Sequence, residues 1–260
     1  MIALLKLPRV GRRAFKVWQR NRDTWLKFYK ASLVGNLAEP VLFLLAFGIG
    51  LSQFISDIEG VPYINYIAPG LMVAAVMNAA TFECTFGAFT RMSAQKTYDA
   101  IIVTPVNIEE VAAGEILWGA SKGFISAVVI LAVLVPWGLA SSPWLLLSPM
   151  LFILEGLMFA SLSLIVTAFS PSYDYFAYYF SLVVSPMFFF SGVFFPLSAL
   201  PEWVRTVSWF MPLSHAVKLS RGLASGNIST HLLLDAVWMV VFTFIASWLA
   251  IKLIKRRLIK

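Results

Sequence analysis

Long apolar runs recur along the chain, near residues 34–54, 66–90, 116–139, 144–169, 175–196 and 232–253. Each reaches the roughly 20 residues a helix needs to cross the hydrocarbon core of a bilayer. Lipid offers no partners for backbone N–H and C=O groups, so such runs close their own hydrogen bonds as helices. A β-barrel would show segments of about ten residues with alternating polarity, a pattern not found here. Charged residues make up 13% of the chain, about half of the roughly 25% typical of a soluble domain. The expectation is an all-α polytopic membrane protein with six transmembrane helices. The first run begins near Leu33 and lacks a small-residue cleavage site, so it is expected to stay as the first span.

Orientation follows from the basic residues. Residues 1–32 carry Lys6, Arg9, Arg12, Arg13, Lys16, Arg20, Arg22, Lys27 and Lys30. Arg91 and Lys96 follow between spans two and three, and the tail adds Lys252, Lys255, Arg256, Arg257 and Lys260. Six spans put all of these on one side, whereas the opposite loops hold only Arg205, Lys218 and Arg221. Both termini are therefore expected in the cytoplasm. Within the arm, Phe15, Trp18, Trp25, Leu26, Tyr29 and Leu33 recur at helical spacing, with Arg13, Lys16, Arg20 and Lys27 opposite. This predicts an amphipathic helix in the membrane interface, basic groups toward anionic lipid. Arg22 falls inside the apolar arc, where its stem can snorkel.

Two connections stand apart. Residues 91–115 run polar, then apolar, then meet Pro105, which reads as a short helix along the cytoplasmic surface. Asn107-Ile-Glu-Glu110 has an N-cap residue followed by first-turn acids. An ordinary loop rarely leaves Tyr98, Ile101 and Ile102 in the open, so the segment is expected to dock a cytoplasmic partner. The second connection, 185–213, carries Pro186, Pro196, Pro201 and Pro212 among phenylalanines. An interior proline costs a helix about 3 kcal/mol, so a smooth fifth helix is not expected to continue through it. Trp203 lies on an apolar face shared with Leu200, Val204, Val207, Phe210 and Met211. A re-entrant or interfacial helical hairpin on the outer side, near the exit of a path, is the expected form.

Catalytic chemistry has little to build on. No Gly-x-x-x-x-Gly-Lys-Ser/Thr loop is present, so no phosphate cradle is expected in this chain, and no hydrolase signature appears. His215 and His231 are far apart, and Cys84 is the single cysteine, which argues against a metal site or a disulfide framework. The intramembrane acids singled out are Glu83, near the cytoplasmic end of span two, and Glu155, near the middle of span four. A charge at the bilayer centre costs about 2.5–3.5 kcal/mol on insertion scales. Each acid is either a shielded carboxyl between helices or part of a pathway. Gly114, Gly119, Ala120 and Gly123 form a small-residue packing face. Tyr63, Tyr66, Trp137, Trp144, Trp203 and Trp209 fall near the outer boundaries, as an aromatic belt would; stacking on sugar rings is the other reading.

This order of parts resembles the ABC-2 type exporter permeases, and within them the nodulation-protein-J branch of lipooligosaccharide transport permeases. The resemblance is carried by Val61-Pro-Tyr-Ile-Asn-Tyr-Ile-Ala-Pro-Gly70, Ala80–Phe89, Lys96–Ile101, Gly114-Glu-Ile-Leu-Trp118, Ser170-Pro-Ser-Tyr-Asp174, Ser191–Pro196 with Leu200-Pro-Glu-Trp203, and Pro212-Leu-Ser-His-Ala216. It implies a homodimer of permeases in the bacterial inner membrane, paired with two copies of a separate ATPase that binds the ATP and magnesium. Lys96, Thr97, Tyr98, Asp99, Ala100 and Ile101 would form the coupling helix seated in that ATPase. The hairpin would line or gate the exit, and the cargo would be a lipid-linked oligosaccharide such as a lipo-chitooligosaccharide. A drug, a lipid or an O-antigen- or capsule-like polysaccharide is the alternative cargo. A membrane enzyme acting on lipid-linked sugars wants paired acids or histidines, and an ion-coupled transporter wants internal repeats. No nucleic-acid partner is expected.

Overall fold

A computed structural model describes residues 8–55, 57–58, 60–134 and 142–259. Lys6, Trp137, Lys260 and the end of the third predicted span lie outside the described residues. The elements are helical apart from a two-residue antiparallel hairpin, β1 (Asp57–Ile58) with β2 (Val61–Pro62). Helix α1 (Ala14–Trp25) forms the arm, and α2 (Tyr29–Phe43) continues into a π-helical stretch, Leu44–Gly50. Helix α3 (Tyr63–Phe82) extends through two π-helical turns, Glu83–Gly87 and Thr90–Ala94. Then come α4 (Thr97–Ile102), α5 (Ile108–Leu134), and α6 (Ser148–Phe169) behind a 3₁₀ turn at Pro143–Leu147. A broken segment follows: α7 (Asp174–Tyr179), a π turn at Phe180–Val184, and α8 (Ser185–Phe190). The chain closes with α9 (Glu202–Trp209), α10 (Pro212–Ser225) and α11 (Thr230–Leu258).

Five helices among the described residues are long and apolar enough to cross a membrane: Tyr29–Gly50, Tyr63–Ala94, Ile108–Leu134, Pro143–Phe169 and Thr230–Leu258. The stretch predicted as a fifth span, 175–196, is helical only from Asp174 to Phe190 and falls just short of that length. The proline expectation needs adjusting. The helix passes Pro186 and stops at Phe190, because the π turn at Phe180–Val184 sits one turn upstream. A widened turn relieves the clash and missing donor that a proline imposes. Pro40 in α2 differs, standing upstream of the π stretch Leu44–Gly50.

Helix α3 is the axis of the molecule, with most side chains from Tyr66 to Thr81 buried. It packs against α5, α6 and α10, while α11 closes over α5 and α6. Close approach depends on the small residues of α5. A Cβ on Gly114 would lie 2.6 Å from Val17 of the arm, and one on Gly119 would lie 2.5 Å from Cys84 Sγ and 2.9 Å from Ala160. Gly156 of α6 faces Ala120 from the other side, where a Cβ would meet the Ala120 Cα at 2.9 Å. Without a hydrophobic driving force between helices in lipid, this contact is what dispersion has to work with. Tyr63 and Tyr66, assigned above to an outer belt, are instead buried in this core. Trp144, Trp203 and Trp209 are exposed as a belt requires.

The arm also differs from its helical-wheel reading. Its buried face is Ala14, Val17 and Asn21, small enough to lie on Gly114, while Phe15 and Leu26 remain exposed. One face thus docks on protein and the aromatic arc is left open. Arg22 does not reach far: it stacks over Trp18 at 5.3 Å and pairs with Asp23 at 2.7 Å.

Candidate functional site

At the arm end of the bundle, the start of α5 is capped reciprocally. The Glu110 N–H donates to Asn107 Oδ1 (2.8 Å), and the Asn107 N–H donates to Glu110 Oε2 (3.0 Å). This is a capping box with Asn at the cap. The acids that cap α5 also hold the arm. The Arg9 N–H donates to Glu109 Oε2 (2.5 Å), the Gly11 N–H to Glu110 Oε1 (3.2 Å), and Lys255 of α11 pairs with Glu109 at 2.9 Å. Arg13 donates to the carbonyl of Pro105 at 2.5 Å. The connection around Pro105 is therefore anchored to both ends of the chain.

A buried ion cluster lies one layer deeper. The Arg91 guanidinium makes a forked contact with Glu115, 2.5 Å from Nη2 and 3.1 Å from Nε, while Nη1 reaches Glu83 at 2.8 Å. Asn21 of the arm donates to Glu115 Oε1 (3.1 Å) and accepts from Arg20 (2.9 Å). Arg20 also reaches Thr97 Oγ1 of α4 at 3.4 Å. Arm, α3, α4 and α5 are thus joined by one polar network. Both α3 charges stand on π turns, where Thr85 and Thr90 hydroxyls bond back to the carbonyls of Thr81 and Phe86 at 2.7 Å. Such widened turns recur at functional positions in helices.

Helix α4 is held beside this cluster by the packing of Tyr98. Between α3 and α4, Lys96 adopts a left-handed conformation, φ 52° and ψ 26°, which is costly for a residue with a Cβ. The reversal turns Tyr98 inward to 1% exposure, packed with Val17, Phe89, Met92, Val111 and Phe176. Burial and then the Glu115 charge push the Tyr98 phenol well above its ordinary pKa. Burial pulls the Arg20 guanidinium below its usual value, with Glu115 opposing. Of the residues singled out as a docking element, Tyr98 therefore faces the bundle and Ile101 is half-buried. Lys96, Asp99 and Ala100 are exposed, and Thr97 is partly so. Val103 at 87% exposure extends this outer face.

Glu83 is accounted for by its pairing with Arg91. Glu155 is not: it is fully buried in α6, and neither oxygen has a hydrogen-bond partner among the described residues. Sequence reasoning missed Glu115 because it was counted with the loop acids before the third apolar run. It also missed Lys122, inside that run, whose ammonium meets Ser32 Oγ at 2.5 Å and lies 5.2 Å from the Trp25 ring centre. A charge within an apolar run is the signal that would have found it.

The hairpin end has its own construction. Pro196 precedes the 3₁₀ turn Leu197–Ala199, Pro201 caps α9, and Pro212 opens α10, where a missing N–H costs nothing. Trp203 is 71% exposed on α9. His215, given no role from sequence, is buried under Trp238, which stacks on it at 4.1 Å. Its Nε2–H donates to the Trp209 carbonyl (2.8 Å), and its Nδ1 is hydrogen-bonded to Asp235 Oδ1 at 2.5 Å. Arg221 clamps the hairpin to α3, donating to Tyr66 O (3.1 Å) and Gly192 O (2.7 Å).

Comparison with known families settles the class. Residues 13–224 match the family model described as ABC-2 type transporter. The chain belongs to the ABC-2 type transporter family. It is similar to Nodulation protein J of Sinorhizobium fredii, 36% identical over 94% of this chain and 93% of that one. Nodulation protein J of Rhizobium meliloti is also 36% identical, over 97% and 96%. The inner membrane transport permease YadH of Escherichia coli is 22% identical over 77% and 78%. An ABC-2 type transporter chain with five long apolar helices among its described residues is a multi-pass membrane protein.

Proposed function

We propose that this chain is the permease subunit of an ATP-driven exporter, powered by a separate ATPase that binds ATP and magnesium. Two copies of each would form the working assembly in the bacterial inner membrane. The segment Asp174–Phe190 serves as a sixth, short span completed by the hairpin. Both termini then lie in the cytoplasm with α4, and the hairpin faces outward as a re-entrant element near the exit. The cargo on this reading is a lipid-linked oligosaccharide such as a lipo-chitooligosaccharide, drawn from the full-length similarity to Nodulation protein J.

The observation that carries the reading is the mounting of α4. A six-residue helix is far too short to be stable alone, yet its inner face is fixed by the packing of Tyr98 and by the Arg20–Thr97 contact, and Asp99, Ala100 and Val103 are exposed. That is the construction of a lug: a small projecting surface rigidly coupled to the spans behind it. A push on Asp99, Ala100 and Val103 reaches α3 and α5 directly.

The test is coexpression with a candidate phosphate-loop ATPase partner. Asp99→Arg with Val103→Glu changes only exposed side chains, so membrane insertion and thermal stability are expected to hold while the ATPase no longer copurifies and export stops. Undiminished copurification and export by this variant would refute the role of α4.

A further inference from the structure

A cup of about 760 Å³ opens at the hairpin end, between the start of α3, the turn after Pro196, the C-terminal half of α10 and the start of α11. That volume falls in the roughly 300–1,000 Å³ range of small-ligand sites. Its walls are held from behind. Arg221 binds the Tyr66 and Gly192 carbonyls, and Ser220 donates to the Pro69 carbonyl at 2.9 Å. Leu232 of α11 lies against Gly222 so closely that a Cβ there would come within 2.3 Å. The cup is thus preformed within one chain.

Its chemistry is amide and hydroxyl. Asn65, Ser198, Asn227 and Ser229 line it, and all four are exposed. Among the described residues, none of their side chains hydrogen-bonds to the rest of the protein. Two cations stand at the same wall: the Lys218 ammonium lies 3.8 Å from Asp235, and the Arg221 guanidinium is engaged by the Tyr66 and Gly192 carbonyls and lies over the Tyr66 ring. An anion receptor would present uncompensated cations or converging backbone donors; here both cations are engaged by the protein, and the side chains left open to a ligand are neutral ones that both donate and accept. Between them lie flat apolar surfaces from Pro69, Pro196, Leu197 and Leu232. Sugar rings carry the complementary set, with hydroxyls and substituent amides at the rim and C–H groups on the faces.

We propose that this cup binds a neutral oligosaccharide bearing amide substituents, as the site that receives the saccharide head of the cargo at the hairpin end. The ligand class rests on the export reading above; the cup itself does not.

The test uses the full chain in lipid nanodiscs, without ATPase, titrated calorimetrically with chitotetraose and, separately, cellotetraose. Saturable binding of chitotetraose is expected, with weaker binding of cellotetraose, which lacks the amides. Asn65→Leu with Asn227→Leu, both exposed and without structural partners, should weaken chitotetraose binding at least about tenfold at unchanged thermal stability. Absence of saturable binding, equal affinity in the double variant, or displacement by millimolar sulfate would each overturn the proposal. Failure of the ATPase to copurify would sink the export reading and leave this binding result standing. Copurification with no chitotetraose binding would sink the cup alone.

Discussion

Replacing Arg91 with methionine tests whether the buried cluster holds the coupling end together. The variant keeps the length and apolar stem of the side chain and removes only the guanidinium. Glu115, at 1% side-chain exposure, then keeps the Asn21 amide at 3.1 Å as its hydrogen-bond donor. Glu83, at 15%, keeps some access to water. Breaking a buried pair by deleting one member costs about 3–5 kcal/mol, because a charge is left desolvated and uncompensated. Most of that cost should come from Glu115, so the two pairs are not summed. At about 2–4 °C per kcal/mol for a chain of this size, the melting temperature should fall by about 6–20 °C, read by tryptophan fluorescence in detergent. The triple variant Arg91→Met, Glu83→Gln, Glu115→Gln removes the orphaned charges and should recover most of the loss. Stimulation of the partner ATPase by cargo should nevertheless stay impaired in the triple variant, since α4 has lost its fixed reference to α3 and α5. A melting temperature within about 2 °C of wild type for Arg91→Met, or a triple variant no more stable than the single, would refute the reasoning.

Gly156→Ala should destabilise by about 1–3 kcal/mol through overpacking, since the new methyl meets Ala120 backbone at 2.9 Å, which cannot swing aside; equal melting temperatures would contradict the packing described. At Glu155, Gln should be tolerated and Lys should abolish stable insertion, checked by yield of folded protein; equal tolerance would mean that water reaches the site. His215→Leu should cost about 1–3 kcal/mol by stranding Asp235 and the Trp209 carbonyl. It should also speed protease cleavage between α9 and α10 while ATPase copurification persists; an unchanged cleavage rate would show that the histidine does not hold the hairpin.

The long helices were legible because hydrophobic runs record them directly, yet their ends were not. Helices α3, α5 and α11 each run past the apolar limit, by including Arg91, by starting at Ile108 among acids, and by continuing through Lys255 and Arg257. Those charges are shielded by one another: Arg91 by Glu83 and Glu115, Lys255 by Glu109, and Arg257 by the Thr167 carbonyl. A hydropathy window sees only the cost of each charge, never the partner some 24 or 146 positions away. The same blindness hid Glu115 and Lys122. It also misplaced Tyr63 and Tyr66, because an aromatic near a span end looks alike whether it faces lipid or protein. The small-residue face of α5 and the prolines at helix starts were legible, since both report backbone geometry rather than distant contacts.

Helix α3 is one continuous piece from Tyr63 to Ala94, about 48 Å at 1.5 Å per residue. Its lower portion carries the ionic cluster, and its opposite extremity supplies the Tyr66 and Pro69 carbonyls that Arg221 and Ser220 grasp. A tilt imposed at the first is therefore a lateral swing at the second, with no loop in between to absorb it. A transporter strung on such a connecting rod needs no relay of small rearrangements through the membrane; leverage suffices.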